Sequence, residues 1–225
     1  MNHPLLARVF ALIIVMCLCV GEALIPWNRL HRESTSILDQ ADARNETANH
    51  LHFMTLALKQ ARKAERRGEV PIGAIVVQRK GAEFPVVLSQ AHNLVETQHD
   101  ASSHAELLAL RQASRKIKNW RLINTTLYTT LEPCPMCLSA AQAFRVSSIV
   151  YGAPDLRLGA IETHMRLLDI QHPMHTISDV TPGILEDESA SMMRNFFRQR
   201  RHKHVPTVER SALWKHRLER LLRRK

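Results

Sequence analysis

Cysteine is scarce in this 225-residue chain: there are four, Cys17, Cys19, Cys134 and Cys137. Two of them lie in an apolar N-terminal run, so one pair remains for chemistry elsewhere. No second C-x-x-C is present to close a structural zinc site, and no thioredoxin-like pattern surrounds Cys134-Pro135-Met136-Cys137 to support a redox dithiol. Long hydrophobic runs are also missing. The most apolar stretch, Val9 to Val20, has twelve residues against the roughly 20 that span a bilayer. Internal repeats and low-complexity tracts are absent as well, so the chain reads as one domain with appendages.

Among the features that are present, 45% hydrophobic content suffices for a core, and the formal net charge is +10. Residues 194–225 carry twelve Lys/Arg against Glu209 and Glu219, which matches the whole net charge. Arg8, the apolar run and Gly21-Glu22-Ala23 form the outline of a removable signal peptide over 1–23. No stable membrane insertion is expected once it is cleaved. Residues 24–49 are expected to be a transit-like or linker segment. Their acids (Glu33, Asp39, Asp42, Glu46) make them a poor mitochondrial presequence.

Globular patterning begins at His50. Leu51, Met54, Ala57, Leu58, Ala61 and Ala64 recur at helical spacing, and Gly68 stands where that helix would stop. Ile72–Val77 and Val86–Gln90 read as a hairpin around Arg79-Lys80-Gly81. His104–Lys118 reads as a helix, Thr126–Leu131 as a strand, Pro135–Phe144 as a helix and Ser147–Tyr151 as a strand. A last helix is expected from about Glu186 to Arg201. Strands alternating with helices imply a sheet covered on both faces. The main domain is placed at 50–201, followed by a basic tail at 202–225 that is a candidate helix.

The cysteine pair has an upstream partner in "SHAEL" at 103–107. His104 with the thiolates of Cys134 and Cys137 makes three ligands and leaves a fourth position, as in catalytic zinc sites. Residues two apart on a regular helix point to opposite sides, so His104 and Glu106 share a site only if the motif opens its helix. Cys134 and Cys137 are i and i+3, with Pro135 in the first turn. A helix N-terminus favours thiolates. Glu106 is the candidate proton carrier; its alternative is a solvated acid complementing the helix dipole.

H-x-E followed by P-C-x-x-C is the signature of zinc nucleobase deaminases. Beyond it, "EVPIGAIVV" at 69–77, "HAELLALRQA" at 104–113, "NWRLINTTLYTTLEPCPMC" at 119–137, "YGAPDLRLGA" at 151–160 and "NFFRQRR" at 195–201 resemble the bacterial tRNA adenosine deaminases (TadA-like) in the same order. The resemblance makes 50–201 a zinc-dependent deaminase domain. It implies a cytidine-deaminase-like three-layer α/β/α sandwich with a mixed sheet of about five strands, a Zn2+ cofactor, and hydrolysis of adenosine to inosine at the tRNA wobble position. It implies that Asn93 hydrogen-bonds the flipped adenine and that Asp155 lies near the flanking nucleotide. The alternatives are a loop-forming Asn and a turn Asp after Pro154. Phe196, Phe197, Arg198, Arg200 and Arg201 resemble the helix that packs beside the anticodon loop, where aromatics stack on bases and arginines meet phosphates. One of the two phenylalanines is alternatively core. Pro154 stands where the family has a basic residue, and Asp100-Ala101-Ser102-Ser103 lacks its usual proline.

The expected partners are a tRNA anticodon stem-loop and a second copy of the chain. A cytosine- or guanine-type base or nucleotide deaminase, and a silent RNA-binding subunit, are the rival readings; retention of Glu106 argues against the second. Leu24-Ile25-Pro26 after the cleavage point resembles bipartite leaders of complex plastids. That implies plastid localisation, with secretion or the mitochondrion as alternatives. The implied substrate there is an arginine tRNA with an ACG anticodon.

Overall fold

In the computed structural model, residues 27–203 are described, apart from 80, 82, 83, 171 and 174; side chains are described from residue 45 to 201. The signal peptide expected over 1–23 and the tail from 204 onward lie outside the described residues. The chain divides into two compact units at Thr47/Ala48. The second is the body treated below.

Helix α1 spans Trp27–Arg66, so it starts well before His50, inside the stretch read as a linker. Within the body its apolar stripe is Phe53, Met54, Ala57, Leu58, Ala61 and Ala64, all buried, whereas Leu51 is exposed. Gly68 follows in the left-handed region at φ +76°, the conformation that ends such helices. Strand β1 (Gly73–Gln78) pairs antiparallel with β2 (Val86–His92), as the hairpin reading expected. A one-turn helix α2 (Val95–Gln98) leads to α3 (Ala105–Ile117). Then come β3 (Thr125–Leu131), α4 (Pro135–Ala143), β4 (Ser148–Ala153), a short β5 (Asp179–Thr181) and α5 (Glu186–Lys203). Strand β5 and helix α2 were not legible; three and four residues carry too little period to show.

The sheet order is β2-β1-β3-β4-β5, with β1 antiparallel to both neighbours and β3, β4 and β5 parallel. Only β1 therefore runs against the rest. The carboxyl ends of β2, β3 and β4 share one edge, where α3 and α4 begin. In open sheets that edge is where ligands bind.

Alternation along the strands builds a core on each face. Ala74, Val76, Leu127, Ile149 and Tyr151 face Ala109, Leu110 and Leu138 of α3 and α4. Ile75, Val77, Tyr128 and Val150 face Phe53, Met54 and Ala57 of α1. Ser189 of α5 presses on Gly152, where a Cβ would sit 2.4 Å from its Oγ, so α5 shares the α1 face. The mixed five-stranded sheet between two helical layers agrees with the expected fold class.

Candidate functional site

Two helix starts supply the site. His104 is the N-cap of α3 in extended conformation (φ −70°, ψ 148°), and Glu106 lies in the first turn. Cys134 is the N-cap of α4 (φ −72°, ψ 169°), with Pro135 in the first turn and Cys137 just inside. The extended caps let side chains two apart converge, which a continuous helix would forbid.

The His104 Nδ1 atom lies 3.6 Å from Cys134 Sγ and 3.5 Å from Cys137 Sγ. All three donor atoms fall within 4.8 Å of one another. A tetrahedral ion with bonds of about 2.0–2.3 Å sets nitrogen–sulfur edges near 3.5 Å, so both spacing and donor type fit a borderline ion such as zinc. Hydrogen bonding from Cys137 pulls the Cys134 thiol down to about 4, against its own desolvation and with help from His104. Cys137 is pushed up by its bond to Cys134 and by burial, so the pair shares one proton, with the charge on the more exposed sulfur. His104 is raised, chiefly by its contact with Cys134.

Glu106 is 3% exposed. Its Oε1 accepts a hydrogen bond from Thr129 Oγ1 at 3.3 Å, and its Oε2 is buried without a partner. Burial pushes its pKa up. A buried orphan oxygen is rare enough to call for a function. The solvated-acid alternative for Glu106 does not fit this burial.

Both groups open on a cleft of about 220 Å3 bordered by Ile72, Asn93, His104, Glu106, Asp155 and Phe197, among others. Such a volume suits one small planar group. Asn93 is buried and donates from Nδ2 to Glu69 Oε2 at 3.2 Å. Asp155 also lines the cleft, yet its Oδ1 accepts from the N–H groups of Arg157 (3.0 Å) and Leu158 (3.3 Å), as a turn residue does.

On α5 the two phenylalanines part company. Phe197 lines the cleft, with the Arg157 guanidinium 5.5 Å from its ring centre. Phe196 is 7% exposed and meets Phe197 edge-on at 5.4 Å. Of the two, Phe196 is the one whose burial fits the core alternative. Arg198, Arg200 and Arg201 are all exposed; Arg200 lies over the Phe196 ring and donates to the Gly68 carbonyl, and Arg198 donates to Asn195.

Two residues of the site went unnoticed in the sequence. Glu132, between β3 and Pro133, accepts from the backbone N–H of Asp155, Ile161, Glu162 and Thr163 and from the Thr163 hydroxyl. Gly159 is packed so closely that a Cβ would come within 2.1 Å of Glu132 Oε2. Glu69 accepts from Thr97 N (2.6 Å), Glu96 N (3.2 Å) and Asn93 Nδ2. Burial pushes both carboxyls up, but the summed hydrogen bonds outweigh it and hold both below the usual range. Each acid ties one wall of the cleft. For Glu132, an acid between Leu131 and Pro133 was the signal available; Glu69 follows Arg66-Arg67-Gly68 and looks like one more surface charge.

Comparison with known proteins now bears on this geometry. Residues 48–201 match the MafB19-like deaminase family. The tRNA-specific adenosine deaminase of Bacillus subtilis (strain 168) is 42% identical over 151 residues, 67% of this chain and 90% of that protein. The chain belongs to the MafB19-like deaminase family. A chloroplastic tRNA(adenine(34)) deaminase of Arabidopsis thaliana is 37% identical over 176 residues, covering 72% of this deaminase and 13% of that much longer protein. A solved structure from work on A-to-I editing by tRNA:A34 deaminases at the wobble position superposes with a TM-score of 0.58 at 39% identity. It covers 63% of this deaminase and 98% of that chain. Among the described residues no helix is long and apolar enough to cross a membrane.

Proposed function

We propose that this deaminase converts adenosine 34, the wobble base of a tRNA, to inosine. The observation that carries the reading is the buried, unpartnered Oε2 of Glu106 beside the His104, Cys134 and Cys137 donors, at the wall of a cleft the size of one base. The names of the relatives above support the substrate.

His104, Cys134 and Cys137 are the residues to hold zinc, which supplies a Lewis acid that lowers the pKa of a water toward about 7. Glu106 passes the first proton of the attacking water to the purine N1 and the second, taken from the resulting C6 hydroxyl, to the departing amine. Oxygen ends on C6, the C6–N6 bond breaks, and the amino group leaves as ammonia, so one water is consumed per turnover. Asn93, fixed by Glu69, contacts the base edge. Phe197 offers an aromatic face, Asp155 borders the flanking nucleotide through its second carboxylate oxygen, and Arg198 and Arg201 meet phosphates. Arg200 acts by bracing α5 on Gly68. Exposed Met136, Leu156 and Leu158 near the site support a homodimer. The resemblance of the leader to plastid-targeting sequences and the chloroplastic relative support a plastid address, with a signal peptide over 1–23, a following transit segment, and an arginine tRNA with an ACG anticodon as substrate.

The test is incubation of the purified protein with tRNAs bearing A34, followed by sequencing. A-to-G conversion at position 34 is expected. Ammonia release from free guanine or cytosine, with A34 intact, overturns the reading. For the address, residues 1–49 fused to a fluorescent protein should enter a plastid; accumulation in the medium or the mitochondrion overturns it.

A further inference from the structure

The catalytic cleft leaves a second hollow unexplained, on the other side of the 90–98 segment. It measures about 400 Å3 and is bordered by Gln60, Lys63, Gln90, His92, Gln98 and Gln112. Gln60 Nε2 donates to Gln90 Oε1 at 2.6 Å, which fixes one pair of amides. Arg67, just past the end of α1, places Nη1 3.2 Å from His92 Nε2. Burial first, and then the charges of Arg67 and Lys63, hold the His92 pKa below its usual value, so its ring nitrogen accepts from Arg67.

Lys63 and Arg67 are both exposed, and neither lies within ion-pairing distance of a carboxylate among the described residues. Glu69 pulls the other way on His92, but its oxygens are already taken by Thr97, Glu96 and Asn93. The hollow therefore carries positive charge and amide groups with no internal anion. Its position continues the α5 arginines: Arg200 binds the carbonyl of Gly68, and Arg67 is the residue before it. On the other side His92 adjoins Asn93 of the catalytic cleft.

We propose that this hollow seats a backbone phosphate of the RNA substrate, with Lys63 and Arg67 as its charge partners. The inference rests on the tRNA reading above and adds to it a binding surface off the catalytic cleft. An anionic polymer is the occupant the charge calls for, because the basic groups run on from α5 across the end of α1. A guanidinium fork and an ammonium together suit phosphate oxygens.

The test compares wild type with the Lys63→Gln/Arg67→Gln double variant on an anticodon stem-loop hairpin, measuring kcat and KM over a series of salt concentrations. KM should rise about tenfold while kcat stays within about twofold, since neither group reaches the reacting atoms. The slope of log(kcat/KM) against log salt should become shallower by about 0.7–0.9 for each phosphate that is no longer neutralised. Arg67→Lys, which keeps the charge and removes the fork, should restore the slope more fully than KM. Lys63→Gln alone changes one exposed side chain and should show a smaller change of the same kind, which serves if the double variant melts early. An active wild type with a variant of unchanged KM and slope overturns this inference alone. A wild type that converts no RNA overturns the tRNA reading with it.

Discussion

Glu106 and Glu132 are sealed from water to nearly the same degree, 3% and 1% exposed, and lie at the same edge of the sheet. Glu132 receives five hydrogen bonds and is held below the usual carboxyl range. Glu106 receives one long bond from Thr129 and is pushed up by burial. Both are closed to solvent, but Glu106 is set deeper among protein atoms, so depth of burial raises Glu106 while the donors hold Glu132 down. A fully satisfied buried acid is a structural pin, because moving it would orphan the backbone groups that it binds. A buried acid with one free oxygen bears a desolvation cost that its few bonds offset only in part, which makes it a candidate for chemistry at the cleft.

The comparison breaks most sharply at Glu106. Glu106→Gln should keep the fold and lower turnover by about 10²- to 10⁴-fold, the range of proton transfer. A calorimetric melt beside a single-turnover assay checks both halves; near wild-type turnover would move the proton carrier elsewhere. Glu132→Ala should do the opposite first, leaving several N–H groups of the 155–163 loop unpaired. A loss of about 3–5 kcal/mol is expected, as for a broken buried charge network, read by urea denaturation.

Acid should act on the satisfied class of carboxylates. Glu69 has a folded pKa below the ordinary value of 4.5, so in the window between the two the folded state binds fewer protons than the unfolded. Its contribution is whole above about pH 4.5 and fades as pH falls through the lower folded value. Glu69→Gln should therefore flatten the decline of melting temperature as pH falls below the ordinary value of 4.5, relative to wild type. An identical decline in both proteins would mean that other groups carry it. The smallest effect is expected at Thr129→Val, which removes the single bond to Glu106 Oε1: about 1 kcal/mol or less in stability, with a measurable fall in kcat as the carboxylate is freed from its one tether.

Much of the chemistry was legible because it resides in local pattern. His104-x-Glu106 and Cys134-x-x-Cys137 are short-range motifs whose side chains are aimed by helix starts, and Pro135 marks one of those starts in the sequence itself. The strands of the two-faced sheet showed through runs such as Ala74-Ile75-Val76-Val77, apolar on both alternations. The beginning of α1 at Trp27 was not legible, since polar residues such as Asn28, Arg29 and Glu33 give it no apolar stripe to read.

The sequence by itself determined which residues are candidates for ligand and proton chemistry, which segments form the core, and the family to which they belong. Tertiary structure alone decided which acids are spent on backbone and which is free, that Phe197 faces the cleft while Phe196 is packed away, and that Arg200 is braced on Gly68. It also decided that Lys63 and His92 border one hollow and that Arg67 meets His92 there. The reason is physical: a motif records residue identity at close spacing, whereas hydrogen-bond satisfaction and exposure depend on partners 20 to 130 positions away, which only the folded chain brings together.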